Sequence, residues 1–481
     1  MKKEPTLFLA LIPVIGMLVL LGIGIGFYDL PAEPLIIMSA VIAGIIAIYL
    51  GYSFDEIMDS VAEKIGKTMP AILILITVGL MIGAWMIGGT IPMLIFYGLK
   101  IISPAFLVVT TFVVTAIIAI CTGTSWGAAG TIGVAFMGVA IGMDANLAMV
   151  AGAVVSGAYF GDKMSPLSDT TNLASLSVGV DLYEHIKNMI WTTGPAFLVT
   201  TIVFLIAGFF TNSADAEIPV KVNQIMNVLS DSFSWNIAYV IPILIILFGA
   251  MTRKPTIPVM LVASVVALLN ALIFEGFNLT EVIVSTLNGF DISMMDNSLE
   301  GSPVLADVET LLNRGGMMSM MNTLLIAICA ITFAGTMMVS NSLNVIIQKL
   351  LNLVKGTGGL IAATVVTGLT TIGVTSNGQV SIVIPGESLK DAYVKRGIHP
   401  KALSRTIEDS VTVIEPILPW TAAGAYMAGT LGVSTLAYLP WAVLNYTGVI
   451  FALILGFTGI GITKLNKNKV SKNSVDPASG Q

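Results

Sequence analysis

Long apolar runs without a single cation dictate what this chain can become. Thr6–Gly26, Pro34–Leu50, Trp191–Phe210 and Pro440–Ile460 contain no Lys or Arg. Each is close to the roughly 20 residues that a membrane-spanning helix needs. Of 481 residues, 56% are hydrophobic and only 10% are charged, against about a quarter charged in an average soluble domain. The expectation is an all-α integral membrane protein. A β-barrel would instead show alternation over segments of about 10 residues. The first run is too long, and too much part of the pattern, for a cleaved signal peptide. Cys121 and Cys329 both fall in apolar helical stretches, which points to packing rather than a disulfide framework. The formal charge of −6 is dispersed among loops, so the partner it suggests is the lipid bilayer and not nucleic acid. The basic, polar stretch 464–481 reads as a disordered cytoplasmic tail.

The two halves of the chain resemble each other. PLIIMSAVIAGIIAIYLGYSFDEIM from Pro34 echoes PVMLVASVVALLNALIFEGFNLTEVI from Pro258, and Ile12-Pro13 echoes Ile241-Pro242. GTSWG at Gly123 echoes TSNGQ at Thr375, and GDKMSPLS at Gly161 echoes IEPILPWT at Ile414, which sets Asp162 on Glu415. A polar insertion near Met294–Arg314 accounts for the wider offset of the later matches. Mated loops carry opposite charge. Asp29 and Glu33 answer to Arg253 and Lys254, and Lys64 and Lys67 to the acidic stretch Phe290–Arg314. The lone Asp144 answers to Lys390, Lys395, Arg396, Lys401 and Arg405. By the positive-inside rule the halves face opposite ways, which is the inverted-repeat plan of many secondary transporters. The expected layout is a first repeat over 1–211, a polar connector over 212–236 and a second repeat over 237–463. It has about 10 spans plus two re-entrant hairpins at about 104–141 and 358–389, or 12 full spans. Interrupted helices are expected at about 147–180 and 402–431, with both termini cytoplasmic.

Two constellations could carry chemistry. GTSWG has the spelling of a hydrolase elbow, yet such an elbow needs a histidine near the serine. Only His185 and His399 exist, both beside charged residues that place them near membrane surfaces. A glycine-rich turn for close packing is a second reading. The third is ion coordination, with Thr124, Ser125, Ser376 and Asn377 offering oxygens where the chain breaks inside the membrane. GDKMSPLSDTTN, Gly161–Asn172, puts Asp162 and Asp169 beside a helix break that Ser165 and Pro166 are suited to restart. A surface loop is the plain alternative. Carboxylates within a bilayer are costly enough that function is the default reading. Its mate, Thr406–Gly424, holds Glu408, Asp409 and Glu415. Glu408 has two readings, a place in the site or a surface partner for Arg405.

GDKMSPLSDTTNLA resembles the signature of the NhaC-type Na+/H+ antiporter family, as do TSWG and the stretch EDS…EPILPW. The resemblance covers nearly the whole chain. It implies a bacterial inner-membrane exchanger of Na+ for H+. A subgroup of similar style is thought to exchange malate for lactate together with H+ and Na+. Burial raises a carboxylate's affinity for protons, so Asp162 and Asp169 are expected to trade H+ for Na+. The sodium position is then Asp162, Asp169 and Ser125. Ser165, Ser168, Thr170, Thr171, Thr124, Ser376 and Asn377 would add neutral oxygens, with Asp409 and Glu415 as further ion or proton groups. Lys163 would hold Asp162 ionised or attract an organic anion. No cofactor beyond the transported Na+ and H+ is expected, and a homodimer is compatible with the pattern. The competing readings are an organic-anion exchanger and, remotely, an intramembrane serine hydrolase.

Overall fold

The computed structural model describes residues 2–28, 30–211, 217–295, 304–352 and 356–465. Helix follows helix throughout: α1 Leu7–Tyr28, α2 Ala32–Tyr49, α3 Phe54–Ile87, α4 Thr90–Ile101, α5 Leu107–Thr122, α6 Ser125–Ala128, α7 Val134–Gly142, α8 Leu147–Met164, α9 Asp169–Val178 and α10 Leu182–Thr211. After α11 Glu217–Ser232 come α12 Ile241–Met251, α13 Thr256–Asn270, α14 Leu279–Asn288, α15 Leu305–Leu312, α16 Met321–Val339, α17 Ser342–Asn352 and α18 Gly356–Thr375. The chain then runs through α19 Gly378–Lys395, α20 Lys401–Ile407, α21 Ala422–Leu431, α22 Thr435–Tyr438 and α23 Val443–Thr458. Among the described residues nine helices are long and apolar enough to cross a membrane, or up to 11 if two bent pairs each count as one span. Over its described part the expected connector carries α11. Residues 466–481, most of the expected tail, lie outside the described residues.

The repeat is visible in how the helices begin and end. Ser53 opens α3 with a capping box to Glu56, and Asn278 opens α14 with the same box to Glu281. Such reciprocal bonds satisfy two amide donors that the helix leaves free. Later in the chain one constant spacing carries feature onto feature. Gly123 (φ 67°) falls on Ser376 (φ 54°), and Asp144 (φ 52°) on Gly397 (φ 68°). Thr124, which caps α6, falls on Asn377, which caps α19. Ser168, which caps α9, falls on Thr421, which caps α21. Asp162 again falls on Glu415. The sequence pairing of GTSWG with TSNGQ is therefore corrected by one residue, because cap falls on cap and left-handed turn on left-handed turn.

Each repeat folds a hairpin against an interrupted helix. Gly157 and Gly161 of α8 meet the carbonyls of Phe112 and Ala116, and Ser165 donates to the Ile120 carbonyl at 2.7 Å. Hence α5 and α8 run parallel and in direct contact, and the intervening α6–α7 limb runs back the opposite way. In the second repeat Thr371 donates to the Ser381 carbonyl and Thr364 bonds the Tyr393 hydroxyl, so α18 and α19 form an antiparallel pair. The repeats then interlock. Ser177 of α9 and Gly179, which caps its end, lie beside Gly386 and Lys390 of α19. Trp126 stacks on Tyr426 of α21, centroids 4.2 Å apart, and Gly133 lies near Leu431. Each broken helix thus follows the returning limb of the other repeat's hairpin, in the same direction, as oppositely directed hairpins require. A second group, α1, α2, α3, α13, α14 and α16, packs together alongside.

Candidate functional site

The hairpin tips end against the carboxylates of the interrupted helices. At Gly123 the chain leaves α5 in a left-handed conformation. A side chain there would run into the Leu167 backbone at 2.8 Å, so glycine both permits the turn and admits the neighbouring break. Thr124 then caps the next helix by accepting from Gly127 N at 3.2 Å. That cap fixes Ser125 at the first helical position, where its hydroxyl donates to Asp162 Oδ2 at 2.8 Å. Both residues are buried. The mate repeats the arrangement with backbone in place of hydroxyl: Glu415 Oε1 accepts from Gly378 N at 3.1 Å. Asp162 and Glu415 lie within electrostatic reach of one another, and Tyr159 lies within reach of both.

The break after Asp162 is held by its own polar side chains. Ser165 takes the Ile120 carbonyl and accepts from Leu167 N at 3.2 Å. Ser168 shares a hydrogen bond with Thr170 at 3.0 Å. Thr171 donates back to the Lys163 carbonyl at 3.1 Å, tying α9 to the end of α8. Asp169 begins α9 on an exposed face, apart from the buried carboxylates, although its charge reaches Asp162. In the second tip Asn377 caps α19 through Val380 N at 3.0 Å. Ser376 is buried there with its hydroxyl unpartnered.

Lys163 does not hold Asp162. Its ammonium pairs with Asp409, and both are almost wholly buried. This ion pair joins α8 of one repeat to the π-turn Glu408–Thr412 of the other. Arg405, also buried, is engaged by the Gly461 carbonyl at 3.2 Å and by Asn188. The surface reading of Glu408 as its partner is therefore corrected: Glu408 is fully buried and bonds no cation.

Nor does a histidine approach Ser125. His185 lies in the first turn of α10, at the end of that long helix, buried with Nδ1 against the Ser404 hydroxyl at 2.8 Å. His399 Nδ1 accepts from Lys401 N. What converges on Ser125 is carboxylate and hydroxyl oxygen, a hard donor set suited to a hard cation.

Comparison with known proteins agrees with this chemistry. A sequence model described as the Na+/H+ antiporter family matches residues 157–460. The chain belongs to that family. It is 58% identical to an uncharacterized Na+/H+ antiporter of Haemophilus influenzae, over 97% of this chain and 98% of the relative. It is 34% identical to a malate-2H+/Na+-lactate antiporter of Bacillus subtilis, over 98% and 99%. It is equally 34% identical to the Na+/H+ antiporter NhaC of Alkalihalophilus pseudofirmus, over 96% and 98%. Within this Na+/H+ antiporter family member, sequence reasoning missed Tyr159, Trp126 and Tyr426 beside the first tip. Tyr159 and Tyr426 are single aromatics in apolar runs, and Trp126 lies inside GTSWG with no partner legible in the sequence. The Tyr426 hydroxyl donating to the Trp126 carbonyl at 2.7 Å is a contact between repeats that no local pattern shows.

Proposed function

We propose that this membrane protein exchanges Na+ for H+ through Asp162, in a bacterial inner membrane with both termini cytoplasmic. The observation that carries the reading is the buried Ser125–Asp162 hydrogen bond at the first hairpin tip. A carboxylate in that setting binds either a proton or a desolvated cation, and one displaces the other. Asp162 and the Ser125 hydroxyl supply the sodium oxygens, and Glu415 is the mate that shares their field. Exposed Asp169 draws cations toward the break. Hairpin caps Thr124 and Asn377, and the bonds made by Ser165, Ser168, Thr170 and Thr171, hold the tips and the break in place. Lys163, Asp409 and Ser376 complete the polar interior around them. The two repeats, 1–211 and 237–463, would alternate the access of this site to the two sides.

The test is flux in proteoliposomes with a pH indicator inside. Imposing a Na+ gradient without any organic anion is expected to move protons, and Asp162→Asn is expected to stop it while the protein still reaches the membrane. Coupled flux at the wild-type rate in that variant removes Asp162 from the site. A second reading, organic-anion exchange, is favoured by the 34% relative named for malate and lactate. It predicts movement only when malate or lactate is added. The engagement of Lys163 by Asp409 weighs against it, since the ammonium that would meet an anion is already paired.

A further inference from the structure

One buried acid is left over when the tips are accounted for. Glu408 is fully buried, and neither carboxylate oxygen meets hydrogen-bond geometry, although the equally unpartnered Thr412 hydroxyl of the same turn stands beside it. It sits at the first position of a π-turn, Glu408–Thr412, a distortion often retained where a helix serves function. Opposite the turn, Gly368 allows α18 to close on Ser410. The charged and titratable groups around it are few. From α8 come Lys163, Asp162 and buried Tyr159, from its own helix Asp409 and Arg405, and from the short turn that follows it buried Glu415. His185 of α10 faces Lys163. On α19, Tyr393 is bonded to Thr364, Lys390 is half-buried beside Gly179, and Glu387, Asp391 and Lys395 are exposed. Asp169 of α9 is exposed, α23 offers only Tyr446, and α18 has no titratable side chain. The nearest cation is therefore Lys163, and Asp409 already holds it.

We propose that Glu408 is a second proton-carrying group, separate from the cation position at Asp162, and that it adds one proton to each exchange cycle. The proposal rests on the Na+/H+ reading above. A lone ionised carboxylate without hydrogen bonds is strongly disfavoured in a buried site, so Glu408 stands with its proton on. Ionised Asp162 lies in electrostatic reach and opposes a second negative charge at Glu408. A sodium ion at Asp162 cancels that opposition. Glu408 can then ionise and lean on the Lys163 ammonium that Asp409 holds. Both acids are thus ionised together only when sodium is present, and both regain protons when it leaves. No bond other than O–H is made or broken, and each proton passes to water.

The experiment is the coupling ratio, read from the pH gradient that just balances an imposed Na+ gradient in proteoliposomes without organic anion. Wild-type protein is expected to move about two protons per sodium ion, and its flux to respond to membrane potential because net charge crosses. Glu408→Gln is expected to keep exchange but to lose one proton per cycle and its response to potential. A wild-type ratio of one proton per sodium ion overturns the proposal alone, whether or not any variant folds. An unchanged ratio in Glu408→Gln overturns it as well. Loss of Na+-protection against thermal unfolding in Glu408→Gln, as expected for Asp162→Asn, places Glu408 in the cation position and ends the claim of separateness. Absence of any Na+-driven proton movement in the wild type defeats the exchange reading itself, and this proposal with it.

Discussion

At the scale of single residues the site is a set of oxygens with unequal support. Asp162 has the Ser125 hydroxyl, Glu415 has a backbone amide, and Glu408 has neither. Hydrogen bonds to charged groups contribute about 1.5–3 kcal/mol. Ser125→Ala is therefore expected to raise the Na+ concentration for half-maximal exchange about tenfold or more, read from the Na+ dependence of the pH signal. An unchanged half-saturation would show that the hydroxyl does not hold the carboxylate for sodium. Lys163 tests differently. Removing one member of a buried pair leaves a naked charge, at a cost of about 3–5 kcal/mol. Lys163→Met is expected to lower the unfolding temperature in detergent sharply, and adding Asp409→Leu to recover most of that loss. A double variant no more stable than Lys163→Met would show that the pair matters for more than charge. The position of Asp162 was legible because a carboxylate beside a Gly–Pro break in an apolar run has few structural excuses. The partner of Lys163 was not, because 246 residues separate it from Asp409 and no local pattern joins them.

At the scale of elements, close helix approach does what side-chain chemistry does at the tips. Gly161 lets α8 reach α5, and a methyl group there would overlap the Ala116 carbonyl and the Ala119 side chain. Gly161→Ala is expected to reduce the yield of folded protein and to abolish flux, whereas Gly373→Ala, which meets nothing within 4 Å, is expected to leave both unchanged or slightly improved by better helix propensity. Equal behaviour of the two would show that the α5–α8 contact is not limiting. The turn before α20 carries a pH term of known sign. Burial, with the Lys401 charge, holds His399 below its ordinary value, so the folded turn favours the neutral ring. As pH falls below about 6.5 the unfolded chain takes up the proton first, and the turn loses stability. Protection of the His399 amide, bonded to the Thr463 carbonyl at 2.9 Å, is expected to fall on acidification, and not to do so in His399→Asn. Helix breaks were legible as Gly, Ser and Pro clusters. One register shift was not interpretable until the helix geometry was known. The stretch from Pro258 is one residue longer than its mate from Pro34, and the π-turn Ala271–Glu275 absorbs that residue within the helix.

At the scale of the whole molecule the question is which parts move against which. Sequence showed two repeats of opposite charge but not how they divide the labour, since interlocking is a property of surfaces far apart in the chain. Here α9 lies on α19, α21 lies on the α6–α7 limb, and Lys163 is paired with Asp409. The hairpins and interrupted helices of both repeats are thereby stitched into one body. A rocking of repeat against repeat would have to pull a buried ion pair apart, whereas movement of that body along the group of α1–α3, α13, α14 and α16 would leave it intact. The two motions separate under cross-linking, in a background with Cys121 and Cys329 replaced by Ala. A Ser177→Cys, Gly386→Cys pair joins the repeats within the stitched body, where a Cβ placed on Gly386 lies 2.7 Å from the Ser177 Cβ. A Thr323→Cys, Gly429→Cys pair joins α16 to α21 across the two groups, where a Cβ placed on Gly429 lies 3.2 Å from the Thr323 Cβ. Both are somewhat tighter than the usual disulfide spacing of about 3.5–4.5 Å, so small backbone adjustments are required in each. Oxidation is expected to leave exchange running in the first variant and to stop it in the second, with reductant restoring it. Arrest by the first cross-link and persistence with the second would mean that the repeats themselves rock, and that the Lys163–Asp409 pair opens in every cycle.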